Sequence, residues 1–354
     1  MVRTLFPGPR PLILLLALCA GSCAVGPNYH RPTAPTPEAY KEAAGWKPAA
    51  PADDAIRGPW WEMFADAKLN ELEAQAATAN QTIAEAAANY EQARQLARAS
   101  RSTLFPTVSI AGSAQRAKTP ASRTSLAAGR IENSFTASAG ASWTPDFWGR
   151  IRRTTESNLA AAQASAADLA SARLAVESEL AQTYFQLRVT DERLRLRQNA
   201  VEAYGRTLQI AQNKYRVGIV ARSDVISAQA LLDAARAQVI DTRLQRAQLE
   251  HALAVLLGRP PADFALDAEP ALSRMLPAIP PQLPADLLQR RPDIAAAERS
   301  VAVANARVGL NTAAYFPDLA LSATGGYESN VLHRLLSAPN QFWSIGADLG
   351  DTLF

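Results

Sequence analysis

Cysteine is nearly absent. There are two in 354 residues, Cys19 and Cys23. Cys19 lies in an apolar N-terminal run that reads as a removable leader, so no disulfide framework can form in the mature chain. Histidine is as scarce. His30, His251 and His333 are far apart, and His251 beside Glu250 has no metal-ligand spacing. No metal and no other cofactor is expected. A Gly-rich phosphate loop and a nucleophile elbow are both missing. The acidic residues are dispersed along helical segments as solvated faces. These gaps argue against an enzyme. Charge of one sign is also lacking: the formal net charge is +3, or about +1 without Arg3 and Arg10. That gives no electrostatic case for nucleic acid. The apolar run from Leu12 to Ala20 is too short to cross a bilayer as a mature helix.

What is present begins with that run. Basic Arg3 and Arg10, a short apolar core and Ala20-Gly21-Ser22 before Cys23 have the layout of a secretory signal over residues 1–22. A cysteine directly after small residues resembles the lipobox of bacterial lipoproteins, in which the thiol takes a diacylglycerol. The alternative is an ordinary signal peptide that happens to contain Cys23. A lone lipidated cysteine suits an oxidising compartment better than a free thiol. By the usual sorting rule for such lipoproteins, Ala24 after Cys23 favours the outer membrane. Residues 23–59 carry seven prolines from Pro27 to Pro59 and read as an extended arm or tether.

A segment occurs twice. Asn80 to Ile110 and Arg291 to Leu321 align at one fixed offset, with Ile83 on Ile294, Phe105 on Phe316 and Pro106 on Pro317. Each copy changes from helix-like to strand-like period at its Phe-Pro. A duplicated helix-then-strand unit points to an architecture built by internal repetition. The first repeat occupies 60–258, a proline-rich crossover 259–284, and a second repeat 285–354.

Helices dominate. Leu69 to Ala79 reads as a short helix, and Asn80 as the cap of the next, Gln81 to Ser102. Arg150 to Tyr215 contains no proline, and Leu187, Leu194, Val201, Leu208 and Tyr215 are seven apart. Leu180 and Tyr184 extend this seam, and a sustained heptad argues for a left-handed coiled coil. Val217-Gly218-Ile219 reads as a hairpin turn, with Ser223 capping a return helix that ends at Gly258. Four strands are expected, Thr107 to Arg116, Ser134 to Phe147, Asp318 to Tyr327 and Phe342 to Phe354. Trp143, Phe147, Trp148, Phe342 and Trp343 fall at or near strand ends, where a transmembrane barrel places interfacial aromatics. A small soluble β-sandwich with buried aromatics fits the strands alone equally well. Four strands cannot close a barrel, and a sheet cannot leave open edges in lipid. Three copies would supply twelve strands, enough for a lumen.

The chain resembles the TolC-type outer-membrane factors, and within them the lipoprotein branch serving resistance-nodulation-division efflux pumps. The resemblance rests on Cys23 with Gly26-Pro27-Asn28-Tyr29, Trp60-Trp61, Leu104-Phe105-Pro106 and Trp143 to Arg150. Tyr215-Arg216-Val217-Gly218, Ala252 to Pro260 and Arg290 to Ile294 complete it. It implies a mainly α fold with a small β part: coiled-coil helices forming an α-barrel, and four strands given to a shared transmembrane β-barrel. It implies a homotrimer working as a passive exit duct, with a periplasmic adaptor protein, an inner-membrane efflux pump and outer-membrane lipid as partners. Arg216, Val217, Gly218 and Ile219 would form the helical tip where the adaptor docks. A plain helix-helix turn without a partner is the alternative there. An adaptor lipoprotein or a pore-less coiled-coil lipoprotein are the rival readings of the whole chain. By the repeat period, a second helical hairpin is expected after Phe354. Its absence from these residues is the one departure from the family pattern, and it makes a truncated product that forms no channel unaided the expectation.

Overall fold

The computed structural model describes residues 24–30, 59–118, 120, 130–268 and 291–351. The leader, Cys23, most of the proline-rich arm and much of the crossover lie outside the described residues. Two compact units are present. One comprises residues 1–32, 91–164 and 297–354, and the other 33–90 and 165–296.

The second of these is helical, and two of its helices, 81–102 and 150–216, belong to it only in part. A 3-10 turn, Trp60–Phe64, precedes helix α1, Ala67–Ala79. Asp66 caps α1 by accepting from the amides of Lys68 and Leu69 at 2.9 and 3.0 Å. Asn80 then caps α2, Gln81–Ser102, accepting from Thr82 and Ile83, while its amide nitrogen donates to the Leu256 carbonyl. One asparagine thus starts a helix and joins it to a segment far along the chain. Helix α3, Arg150–Arg216, has 67 residues, about 100 Å at the α-helical rise. Helix α4, Arg222–Leu256, returns antiparallel. The core is Leu69, Leu72 and Ala76 of α1 against Leu180, Tyr184 and Leu187 of α3 and Leu253 of α4. Farther along the hairpin, Leu208 packs with Ala228 and Leu232.

The heptad seam is buried at Leu180, Tyr184, Leu187 and Leu208. It fades to half-buried at Leu194 and Val201 and ends at exposed Tyr215, where the hairpin turns away. Ser223 does not cap α4. It lies inside the first turn, and the carboxylate of Asp224 accepts instead from the Ala221 amide at 3.2 Å. No helix among the described residues is long and apolar enough to cross a membrane.

Both helices of the hairpin end in the same motif. At Gly218 and at Gly258 the backbone turns left-handed, with φ +78° and +65°. The next amide reaches back five residues, Ile219 to Lys214 and Arg259 to Ala254, each at 2.9 Å. This is the glycine-terminated pattern that satisfies the last carbonyls. The surroundings differ. A Cβ at Gly218 meets nothing, whereas one at Gly258 would lie 2.4 Å from the Ala79 carbonyl oxygen. Gly218→Ala is therefore expected to cost about 1 kcal/mol, the left-handed penalty alone. Gly258→Ala adds a backbone clash and should cost about 2 kcal/mol. Thermal melting of the two variants in detergent checks the ranking; equal losses would refute it.

The other unit holds the sheet. Strands β1, Thr107–Lys118, β2, Ile131–Trp143, β3, Asp318–Ser329, and β4, Gln341–Gly350, pair antiparallel in the order β1-β2-β3-β4. Helix α5, Pro292–Ala313, leads into β3 as α2 leads into β1, and the bounds keep the repeat's offset. Proline opens α5, where a missing N–H costs nothing. The second strand stops at Trp143, short of the expected Phe147. Pro145 breaks it, and Asp146 turns to cap α3, accepting from Ile151 and Arg152 at 3.0 and 2.9 Å. Similarly β4 ends at Gly350, and residues 352–354 lie outside the described residues.

Candidate functional site

Strand register sorts the sheet into two unlike faces. In one row Val108, Ala141, Ala323 and Ile345 are partners. In the row two residues on, Ile110, Ala139, Gly325 and Trp343 align. Trp143, Leu321 and Ala347 form a third row on this face. The opposite face presents Ser109, Gly140, Thr324 and Ser344 in one row, and Ser113 with Thr136 and Glu328 in another. One face is therefore apolar and the other is rich in hydroxyls. The apolar one is not a packed core: Ile110, Trp343, Ile345 and Leu349 are exposed, Trp343 by 74%. A soluble sandwich would cover such a face with a second sheet. Apolar-out, polar-in alternation is the pattern of a transmembrane barrel wall. Within this sheet β1 and β4 each pair on one side only.

The aromatic residues separate on these faces. Trp143 and Trp343 share the apolar one, while Phe342 pairs with Gly326 in the row of Ser138 on the polar one. Phe147 and Trp148 lie beyond the strands. Trp148 stacks on Phe316 at 4.7 Å, and its indole N–H donates to the Pro317 carbonyl at 2.9 Å. The two Phe-Pro pairs thus differ in environment, for Phe105 is largely exposed. Alternation in sequence placed the aromatics near strand ends but could not assign a face to each, because that depends on register with distant strands.

The stretch after Cys23 is held in place. The buried Arg153 of α3 donates to the carbonyls of Val25 and Gly26 and to Asn28 Oδ1, at 2.9–3.2 Å. The Val25 amide donates to Trp148, Asn305 donates to Pro27, and Tyr29 donates to Glu298. Gly26 adopts φ +98° against Gly309, where a Cβ would come within 2.5 Å of the Gly309 Cα. The Gly26-Pro27-Asn28-Tyr29 motif is therefore a docking strap, a role its sequence did not reveal.

At the hairpin turn Arg216 is exposed, and Val217 and Ile219 are each 69% exposed on either side of Gly218. Two bare aliphatic side chains on this turn form an apolar knob.

A four-stranded sheet with a lipid-like face, in one chain with a helical hairpin whose longer arm is on the order of 100 Å, defines a subunit of a β-barrel channel with a coiled-coil extension. The sequence matches the profile of outer membrane efflux proteins over residues 72–259 and 283–354. The chain belongs to the outer membrane efflux protein family. It is 30% identical to the probable efflux pump outer membrane protein TtgC of Pseudomonas putida, over 94% of this chain and 69% of that one. To the outer membrane protein OprJ of Pseudomonas aeruginosa it is 28% identical, with the same coverage. Among solved structures it superposes on the outer-membrane channel OprN with TM-score 0.81 and 31% identity, covering 93% of this chain and 73% of that one. For the Neisseria gonorrhoeae MtrE channel the TM-score is 0.76 at 27% identity, with 94% and 73% covered. Family membership favours the channel over the adaptor and scaffold alternatives.

Proposed function

We propose that the chain is one subunit of a homotrimeric exit duct for drugs or other small solutes in a tripartite export pump. A periplasmic adaptor and an inner-membrane pump are its partners, and the pump supplies the energy. The observation that carries this reading is the two-faced sheet. An exposed apolar face needs lipid, and the single-sided edges of β1 and β4 need other strands inside lipid. Three copies supply twelve strands and leave the hydroxyl face around a lumen. The hairpin adds support, since Ile226, Ile240 and Leu244 of α4 remain exposed as a second apolar stripe. Stripes of this kind mark contact with neighbouring chains. Cys23 carries the lipid, and the docked strap at Val25–Tyr29 begins two residues after it. Trp143 and Trp343 meet the bilayer from the apolar face. The duct is passive and the chain takes no catalytic step.

Because the chain has so few cysteines, the sheet can be tested by single additions. With Cys23 changed to Ser, Ile345→Cys in isolated membranes should resist a water-soluble maleimide and react with a lipid-soluble one. Ser138→Cys should show the reverse preference. Equal reaction of both with the aqueous reagent would sink the membrane reading.

The exposed knob at Arg216–Ile219 is the adaptor's docking point in this reading. Val217→Asp with Ile219→Asp should cut crosslinking to the adaptor about tenfold or more, as expected when central apolar contacts become charged. Helicity by circular dichroism should not change, because both side chains already face water. Undiminished crosslinking would place the docking elsewhere.

A further inference from the structure

A groove of about 400 Å³ lies between α2 and the start of α3. Its α2 wall carries Arg94, Arg98 and Arg101, spaced four and three apart so that one helical face presents all three. Arg152 faces them from α3. The floor is apolar, made by Ala97, Leu104, Leu159 and Ala162.

The four guanidinium groups are not equivalent. Arg94 is neutralised by Glu91 at 2.7 Å, and Arg152 by Asp146 at 3.2 Å. Arg98 and Arg101 are exposed and make no ion pair among the described residues. Two unneutralised charges therefore stand over an aliphatic trough. Beside them Leu159 is 53% exposed. A ligand with an anionic head and an apolar tail satisfies both parts.

Position narrows the ligand class. Arg101 is in the last turn of α2, and Thr107 opens β1 six residues later. The indole N–H of Trp143, the apolar-face tryptophan that ends β2, donates to the carbonyl of Leu104 at 3.0 Å. Leu104 itself lines the floor of the groove. A tryptophan at a strand end marks the level of the lipid headgroups, so the groove opens at that level. Basic pockets at a membrane surface hold anionic headgroups.

We propose that this groove is a binding site for an anionic phospholipid, its phosphate held between Arg98 and Arg101 and an acyl chain lying along Leu104, Leu159 and Ala162. The proposal rests on the reading of β1–β4 as a membrane-embedded wall. It assigns the two unpaired arginines a part in seating the sheet at a fixed height in the bilayer.

The test is native mass spectrometry of the purified full chain in detergent. Phosphatidylglycerol and phosphatidylcholine with matched acyl chains are the probes. Phosphatidylglycerol should be retained about thirtyfold better, the preference expected from two guanidinium charges near a membrane surface. Arg98→Gln with Arg101→Gln should reduce that preference to about twofold or less, and Arg98→Lys with Arg101→Lys should keep most of it. Excess inorganic phosphate should not displace the lipid, because it offers the trough no tail. Equal retention of the two lipids, or an unchanged preference in the glutamine variant, overturns the proposal. Displacement by phosphate alone also overturns it, in favour of a free-anion site. Circular dichroism of the variants guards against misfolding. The Ile345→Cys labelling in membranes reads the wall separately. Shielding without lipid preference defeats the groove alone, and lipid preference without shielding defeats the membrane wall alone.

Discussion

Asp191→Ala is expected to lower the unfolding free energy by about 4 kcal/mol, the cost of breaking a buried ion pair on one side. Asp191 is 1% exposed and sits between two guanidinium groups. Arg246 of α4 donates to it at 2.6 Å and Arg188 of α3 at 3.4 Å. The same arginines hold the segment C-terminal to α4. Arg188 donates to the Asp267 carbonyl at 2.7 Å, and Arg246 reaches the Leu266 carbonyl. Glu250 completes the group, pairing with Arg246 and accepting from the Leu266 amide at 2.7 Å. Removing Asp191 takes from the buried Arg188 and the half-buried Arg246 the anion they share. Both the hairpin base and the start of the crossover should loosen, and amide exchange at Leu266 should rise with the fall in melting temperature. The combined change Arg188→Met, Asp191→Leu, Arg246→Met and Glu250→Gln removes the charges together. It should recover much of the loss, since apolar replacement of a whole buried ionic group is often neutral or stabilising. A fourfold variant no better than Asp191→Ala would show that packing, not charge, sets the cost.

Glu73→Leu should do the opposite and stabilise the protein at neutral pH. Glu73 is fully buried on α1, and neither carboxylate oxygen has a hydrogen-bond partner. Asn70, one turn earlier, has a buried side-chain oxygen in the same condition. Burial, reinforced by the negative charge of Glu177, pushes the Glu73 carboxyl from its ordinary 4.5 to about 8. Glu177 is raised as well, chiefly by burial, against the opposing pull of the Trp60 indole N–H and of Arg173. The folded protein therefore keeps a proton on Glu73 that the unfolded chain releases above about pH 4.5. Stability is highest below that pH, falls as pH rises towards about 8, and then levels. At pH 7 the penalty is about 3 kcal/mol, which Glu73→Leu removes along with the buried polar atoms. Melting curves at pH 5 and pH 8 should show a clear loss for the natural chain and a much smaller one for Glu73→Leu, with Glu177 supplying the remainder. Parallel pH dependence in the two proteins would mean that Glu73 ionises freely, and would remove the case for its burial.

Neither residue announced itself in the sequence. Glu73 sits two residues from Glu71 in an alanine-rich helix, where the ordinary reading is a solvated face. It is buried because α1 packs Leu69, Leu72 and Ala76 onto Leu180 and Tyr184, far along the chain. Asp191 and Arg246 meet only because α3 and α4 fold back on each other. The strap at Val25–Tyr29 was legible as a motif but not as a contact, since its partners Arg153, Asn305 and Gly309 lie on two other helices. Alternation in sequence runs on to Trp143 and does not mark the end of β2, which Pro145 and the Asp146 cap decide.

By itself the sequence determined the features that depend on neighbours a few residues apart. These are the helix and strand periods, the repeat of α2-β1 in α5-β3, the heptad seam, the asparagine cap at position 80 and the left-handed glycines at 218 and 258. Each is set by backbone sterics, local hydrogen bonding or short-range periodicity, and so survives without knowledge of the fold. Tertiary structure alone decided which strand residues share a face, why Trp343 meets the apolar side and Phe342 the polar one, and which acidic residues lose water. Those outcomes depend on register and packing between segments distant in the chain, and a one-residue shift in pairing would reverse every side of the sheet.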